Sequence, residues 1–592
     1  MTSLGNKFRG NTAIVTFDEF ERFIGVTALT TGNTNSPGSF NGCTNLTSIK
    51  FPHSIKSLQN GSFSNCKNLK IDVFIPNLES IGDGAFLNTS IKRVLNLGNI
   101  TNIPGGSNIT ATGTFNGCTS LIEFVCPETV TSIGQNAFRG CKSLSSFNMP
   151  TALTKLAGEA FYNCTSLVIE DLSLPNLTSL GQNAFYGVSI KRISNLGNIT
   201  SLPASSSSAQ NFGKKDVLEE VVLPETLTYI PENSFHSYSK LKKINLENIE
   251  TLGGYNFVSA LDGTEVRMPK LSSIQSNQAF YKSGVTVLDF TGSTFTKTRD
   301  SFAQGAINLH TVYLPNTITS IGYSAFDGCT SLEIADLSLP NLESLSSRAF
   351  GGVKITKISN LGKITAINPS NQGYANIGDK SVLKEVTLPN TIKTIGDYTF
   401  DGYSVLETIT IESGASGVKV GNYAFNNLKA LTNFNVDPAC FVSLGFGSFS
   451  NFKLFNEITF QNVTTVGRQA FRGSTISKIK LPSVETMAAS HNYDGIFSFC
   501  PNLVLVDLGE NCSSIGAESF GRGVGTSGKN ITIICRASTP PTLGGTIFGA
   551  SVSNAALEGI YVPDDSVEAY KTATNWSAYA DRIKPLSEYI ES

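Results

Sequence analysis

The stretch Cys118–Cys141 reads C-T-S-L-I-E-F-V-C-P-E-T-V-T-S-I-G-Q-N-A-F-R-G-C, and the next stretch, ending at Cys164, says nearly the same thing. Leu309–Cys329 says it again, as L-H-T-V-Y-L-P-N-T-I-T-S-I-G-Y-S-A-F-D-G-C. The shared pattern is L-x-x-I-x-L-P-x-x-[VIL]-x-x-I-G-x-x-A-F-x-x-C. A fixed period of about 23 residues is the signature of a solenoid and outranks every shorter motif.

The pattern has a direct physical reading. The end of L-x-x-I-x-L alternates in and out, as a short strand must. Pro ends the strand, because it has no N–H for a ladder. The [VIL]-x-x-I-G half turns a second apolar edge inward, Gly permits the bend, and Phe fills the wide end of the coil. One coil cannot bury its own apolar side, so coils must stack. Parallel strands in adjacent coils then lie about 4.8 Å apart.

The Phe can be followed along the chain at Phe40, Phe63, Phe86, Phe115, Phe138, Phe161, Phe185, Phe212, Phe235, Phe257, Phe280, Phe302, Phe326 and Phe350. Ile377 takes the next place, followed by Phe400, Phe425, Phe449, Phe471, Phe497, Phe520 and Phe548. The expected fold is a curved, right-handed stack of about 22 coils with parallel β-strands, mostly β and turns with few short helices. The expected core includes Phe138, Phe161, Phe185, Phe235, Phe326, Phe350 and Phe400, with Cys118, Cys141 and Cys164 beside them.

Composition agrees with this reading. The chain has 592 residues and a formal net charge of -2. Charged residues make up 15 %, against about 25 % usually, and Asn, Ser, Thr and Gly fill the surface. Dispersed charge gives no nucleic-acid footprint. No run of about 18 apolar residues exists to span a membrane. The opening M-T-S-L-G-N-K-F-R-G has no apolar region of the kind a signal peptide carries.

Of the 11 cysteines, Cys43, Cys66, Cys118, Cys141, Cys164, Cys329 and Cys500 stand three residues after the marker Phe. Val188, Tyr238 or Tyr403 can take that place, which is the behaviour of a small buried apolar side chain. Buried free thiols are expected. Disulfides between stacked coils are the lesser reading. The cysteines recur singly rather than in C-x2-C pairs, against a zinc site.

Three regions are expected. Residues 1–39 form a degenerate capping region, in which D-E-F-E-R-F makes a helical turn or two. Residues 40–534 are the array. Residues 535–592 hold a divergent last repeat and a C-terminal cap, with Asp565 capping a helix through Val567, Ala569 and Tyr570. Trp576 should pack with Tyr570 and Tyr579.

Insertions mark a few coils. Five residues separate Ile133 from Phe138, and about twice that separates the same positions at turns 30–39, 104–114, 203–211, 368–376 and 488–496. All five turns lie at the same point of the coil and so should emerge from one edge. They are rich in Ser, Asn, Gly and Thr, with Tyr374 and Tyr493 as rigid contact area. On the strands, the outward positions that depart from Thr, Ser, Lys and Glu are Ile122, Val125, His310 and Tyr313.

These residues resemble those of the BspA-like leucine-rich repeat proteins, the Treponema pallidum-type repeat family, and especially those of gut Bacteroides-type bacteria. The resemblance rests on T-S-I-G-Q-N-A-F-R-G-C-K-S-L (131–144), L-P-E-T-L-T-Y-I-P-E-N-S-F (223–235), L-P-N-T-I-T-S-I-G-Y-S-A-F-D-G-C-T-S-L (314–332) and V-P-D-D-S-V-E-A-Y-K (562–571). It implies a curved, secreted or surface-exposed solenoid that attaches to host proteins or other microbes. It brings no catalytic residue, and its matching positions are the structural Leu, Ile, Phe and Cys columns.

Catalytic patterns do not emerge. His53, His236, His310 and His491 are far apart. Ser490, His491 and Asp494 share one loop, too close in sequence to hold a His between the other two. G-R-G-V-G-T-S-G (521–528) follows a marker Phe and precedes a strand, so it lacks the setting of a phosphate loop. Glu219-Glu220 and Asp564-Asp565 do not face each other across a cleft, as glycosidase carboxylates do. N-C-T at Asn163 and N-I-T at Asn198 resemble glycosylation acceptors, but turns also demand Asn and Thr. The expected function is a non-enzymatic, cofactor-free, monomeric binding scaffold for a surface protein or glycan. A spacer without a ligand, and a glycan- or peptide-processing enzyme or enzyme-associated module, are the alternatives.

Overall fold

Each coil of the computed structural model is closed by three backbone ladders, seen clearly around Cys118–Cys141. On the first side, Glu123–Phe124 pairs in parallel with Arg93–Asn96 and Ser146–Phe147. On the second, Ser132–Ile133 pairs in parallel with Asn102–Ile103 and Lys155–Leu156. On the third, the marker amides step from coil to coil: Phe115 N–H donates to the Ala137 carbonyl at 2.8 Å, and Phe138 N–H to Ala160 at 2.8 Å. Stacking thus satisfies the polar backbone as well as burying the apolar edges.

The structure describes residues 3–29, 38–106, 112–368, 377–488, 494–521, 523–524, 530–548 and 557–590. It comprises two compact units, Met1–Ser293 and Thr294–Ser592. Both are parallel β-solenoids. The second contains a five-stranded sheet from Glu333–Ser338 to Asn433–Asn435 and an eight-stranded sheet from Ala366–Ile367 to Thr542–Leu543.

The Phe column is a stack of rings. Phe138 lies between Phe115 at 5.3 Å and Phe161 at 5.1 Å, nearly parallel to both. Phe124 and Phe147 meet it edge-on at 4.8 and 5.1 Å. Parallel and edge contacts of this kind add to the gain from burial. Phe326 and Phe350 repeat the stack at 5.4 Å in the second unit.

The Cys column does more than fill space. Cys118, Cys141 and Cys164 are wholly buried, and their thiols lie 3.0–3.1 Å from the carbonyls of Phe86, Phe115 and Phe138. Each thiol donates to the marker residue of the preceding coil. All 11 cysteines are free and buried. Tyr403, in the same column, reaches the Ile377 carbonyl with its hydroxyl at 2.9 Å. Tyr238 accepts from the Phe212 N–H at 3.3 Å. Both tyrosines follow coils whose marker comes after a long turn.

Three expectations need correction. The Gly of I-G does not supply the bend: Gly134, Gly181, Gly253 and Gly421 are absent from the left-handed region, and a Cβ on any of them would meet the backbone of the neighbouring coil. Close approach requires that glycine. The bends lie two residues before and two after the marker, as at Asn136 (φ 59°) and Gly140 (φ 74°), or Tyr398 (φ 56°) and Gly402 (φ 70°).

Phe302 does not hold the marker place. Ala303 N–H donates to the Ala325 carbonyl at 2.7 Å, and Ser301 and Gly305 are the left-handed pair. A-Q-G-A (303–306) therefore matches F-D-G-C (326–329), and Phe302 meets Phe326 edge-on at 6.0 Å instead of stacking.

Asp565 does not cap the helix Val567–Thr572, whose N-cap position is Ser566 without a side-chain bond. Aromatic side chains bond this segment to the backbone of residues 537–547. Trp576 donates to the Pro541 carbonyl at 2.7 Å and Tyr570 to that of Ala537 at 2.7 Å, while Tyr579 accepts from Ile547 N–H at 3.1 Å. Trp576 meets Tyr570 edge-on at 4.9 Å, and Tyr579 packs on Phe548. At the other end, Thr16–Phe17 and Ala28–Leu29 pair in register with Ser48–Ile49 and Ser57–Leu58. The turn between them is the 3-10 helix Asp18–Arg22, which buries Phe20.

Candidate functional site

The strands of the first side carry the outward residues singled out from sequence. In the first unit, Ile122 is 45 % and Val125 41 % exposed, on either side of buried Phe124; in the second, Tyr313 is 54 % exposed. His310 is exposed, its Nδ1 2.9 Å from the Thr311 hydroxyl. Val125 and Tyr313 directly follow Phe124 and Val312 and so point the other way, while Ile122 and His310 stand just before the strands Glu123–Phe124 and Thr311–Tyr313. Each pair stays within its own unit.

Around them the strand face is an array of ion pairs joining adjacent coils. Arg93 pairs with Asp72, and Glu220 receives Arg192 at 3.4 Å and Lys243 at 2.9 Å. In the second unit Lys354 pairs with Glu333 at 2.9 Å and Lys357 with Glu385 at 3.1 Å. Arg536 grips Asp507 through two nitrogens at 2.9 and 2.8 Å. Exposed pairs of this kind add little stability, but they cancel charge over much of the face. The strand stretch 145–148 (S-S-F-N) holds no charged residue, and Ile122 and Val125 stand beside it in the preceding coil.

Sequence reasoning missed Phe74, which is 53 % exposed. It follows Val73 as Val125 follows Phe124. With Ile49, Lys50, Phe51, Pro52 and His53 of the coil before, and Asp72, Ile75 and Pro76 of its own, it lines a cleft of about 220 Å³. The available signal was the extra residue in L-K-I-D-V-F-I-P relative to L-x-x-I-x-L-P.

Of the long turns, 203–211 is fully described and is well secured. Asn211 Oδ1 accepts from Asn183 N–H at 2.7 Å, Gln210 Oε1 from Gly187 N–H at 3.1 Å, and Lys215 Nζ donates to the Ser207 carbonyl at 2.7 Å. Burial lowers the Lys215 pKa to about 8. Burial, then the Lys215 charge, lowers that of His236. Tyr374, Tyr493, Ser490 and His491 lie outside the described residues. Asp494 pairs with Arg472 at 3.4 Å.

The turn edge carries aromatic ladders. Tyr162 and Tyr186 stack at 4.4 Å with the Arg139 guanidinium 4.3 Å above Tyr162, and Arg139 also pairs with Glu159. Tyr398, Tyr423 and Phe446 follow one another at 5.3 and 4.7 Å, with Arg468 4.4 Å over Phe446. Tyr162 and Tyr186 cover each other's faces and Tyr423 meets Phe446 edge-on, so the ladders bind coil to coil. Among the described residues, no group of three or more His, Cys, Asp or Glu could hold a metal ion, and no helix is long and apolar enough to cross a membrane.

A family model described as "BspA type Leucine rich repeat region (6 copies)" matches overlapping stretches that together run from residue 15 to residue 539. The chain belongs to the BspA-type leucine-rich repeat family. The match carries that description without the narrower Treponema pallidum-type label. No curated protein sequence matches this BspA-type chain. Similar solved structures include a leucine-rich cell-surface protein from Faecalibacterium prausnitzii, 18 % identical, covering 70 % of this chain and 90 % of that one at a TM-score of 0.21. A leucine-rich repeat protein from Bacteroides ovatus is 16 % identical, covering 86 % and 82 % at a TM-score of 0.22. One from Eubacterium ventriosum is 15 % identical, covering 76 % and 90 % at a TM-score of 0.21.

Proposed function

We propose that this BspA-type solenoid is a non-catalytic binding scaffold, displayed on a bacterial surface or secreted, that holds a host or microbial surface protein or glycan on its strand face. The observation that carries this is the exposure of Phe74, Ile122, Val125 and Tyr313 on strands whose other outward residues are small, polar or paired. Exposed apolar and aromatic side chains set in a polar surround are the usual anchors of an interface. A spacer would need only even polar columns. The long-turn rim is the weaker reading, because turn 203–211 spends its polar groups on its own coils.

The test is capture on arrays of host extracellular proteins and of bacterial and mucin glycans. Three proteins are compared: the parent, an I122S/V125S/Y313S variant, and a variant with 203–211 shortened to the five-residue spacing. The expected result is that the parent retains a ligand, the serine variant loses it by tenfold or more, and the shortened variant keeps it. Capture that survives the serine changes and fails on shortening would place binding on the rim.

A further inference from the structure

On the strand face of the first unit, three successive coils each present one apolar side chain directly after the inward strand residue: Phe74, Leu95 and Val125. Val94 stands opposite Phe124, which sets Leu95 beside Val125. Val73 stands opposite Val94, and the register shift that follows sets Phe74 against the Leu95–Asn96 step. Phe51, two residues after Ile49, packs edge-on against Phe63 at 5.5 Å and borders the cleft beside Phe74. Phe74 and Val125 are exposed, and Phe51 and Leu95 half-buried. The strip stops at Asn148, whose amide is bonded to the Cys126 backbone.

Lys70, Lys92 and Arg93 stand with Asp72 and Glu123 on these strands; Arg93 pairs with Asp72 and lies opposite Glu123. Lys50 reaches Glu21 only at 3.9 Å. Lys70 and Lys92 are exposed at the starts of the first two of these strands and form no ion pair among the described residues.

Spacing decides the shape of the occupant. Coils repeat at about 4.8 Å, so a partner lying along the stack must offer one apolar side chain at nearly that interval. An α-helix offers one per turn of about 5.4 Å, and over two steps it drifts by about 1 Å, less than a side chain's width. An extended strand repeats a face every ~6.7 Å and slips by about 4 Å, most of a coil. A helix about 10–12 Å across also brings its flank over Lys70 and Lys92, roughly three strand residues, or about 10 Å, from the strip. Leu95 and Val125 offer neither a ring face nor a hydroxyl to a sugar.

We infer that this strip is a docking site for an amphipathic α-helix of the partner, with its apolar stripe on Phe74, Leu95 and Val125 and an acidic flank toward Lys70 and Lys92. The inference rests on the strand face being the binding surface, and adds the partner's shape and charge.

The probe is a fluorescent peptide of about five turns, with Leu at i, i+4 and i+7 and Glu along one flank. It is titrated against the whole chain, beside a scrambled peptide and one with Lys in place of Glu. Expected are binding coupled to a gain of helical circular dichroism, and at least tenfold weaker binding of both controls. F74S/V125S, whose exposed sites leave the melt unchanged, should weaken binding at least tenfold, and K70E/K92E should reverse the preference toward the Lys peptide. Equal binding of the scrambled peptide, no binding, or indifference to F74S/V125S would overturn the inference. Displacement by heparin with F74S/V125S unaffected would also overturn it, as plain polyanion attraction. If the peptide fails while I122S/V125S/Y313S still abolishes array capture, the strand-face reading stands and the helix inference alone falls. If capture survives those serines, the strand-face reading falls.

Discussion

Phe138 and Cys118 show how much one coil position decides. Phe138 touches two rings by their faces and two by their edges and is wholly buried. Phe138→Ala should cost about 3–5 kcal/mol, the usual range for a buried Phe. Because coils depend on their neighbours, proteolysis should open the adjacent coils as well. A melt and a digest matching the parent's would refute the ring stack. Burial pushes the Cys118 thiol up to about 11, partly offset by its bond from Thr89. Below pH ~9 this thiol is protonated in both the folded and the unfolded chain and adds no pH dependence. Between about 9 and 11 only the unfolded chain releases the proton, so stability falls as pH rises. Cys118→Val, which copies Val188 of the same column, should flatten that alkaline decline in melting temperature. Cys118, Cys141 and Cys164 should resist thiol reagents until the chain unfolds. Recurrence made the Phe and Cys columns legible in sequence. It could not reveal that the thiols donate to carbonyls, since that depends on where the preceding coil sits.

The turn around the marker is the element that sequence reading placed least well. A recurring Gly signals either a left-handed backbone or close approach, and recurrence alone does not separate them. The I-G glycine is the close-approach case. The left-handed places are held by whatever residue stands there, including Glu159, Tyr255 and Ser259. Non-Gly residues there carry strain. Exposed Ser259 (φ 52°) has a side chain free to change. Ser259→Gly should therefore stabilise the chain by about 0.5–1 kcal/mol, the relief of strain exceeding glycine's extra entropy in the unfolded state. A lower melting temperature would contradict the assignment. The slip at Phe302 has a similar cause: Phe302 and Ala303 are both apolar and buried, so composition cannot tell which occupies the slot. Phe74 escaped for the opposite reason, because one added residue in its strand changes which side chain points outward.

At the scale of the whole molecule, stacking makes distant residues neighbours at intervals of roughly one coil. The inter-coil ion pairs and the strip of Phe74, Leu95 and Val125 became visible only once the register was known. The family was legible from the motifs alone, because the same columns that build the core are the ones the family shares. The binding surface was half legible: Ile122, Val125, His310 and Tyr313 stood out as departures from their columns, whereas the cleft beside Phe74 did not. The most direct measurement is hydrogen–deuterium exchange of the whole chain with and without a partner retained on the capture arrays. The account expects protection to appear in strands of the first side that carry the exposed anchors, Asp72–Phe74, Arg93–Asn96 and Glu123–Phe124 or Thr311–Tyr313, with turn 203–211 unchanged. Protection confined to the turn edge, with those strands exchanging as in the free protein, would contradict it.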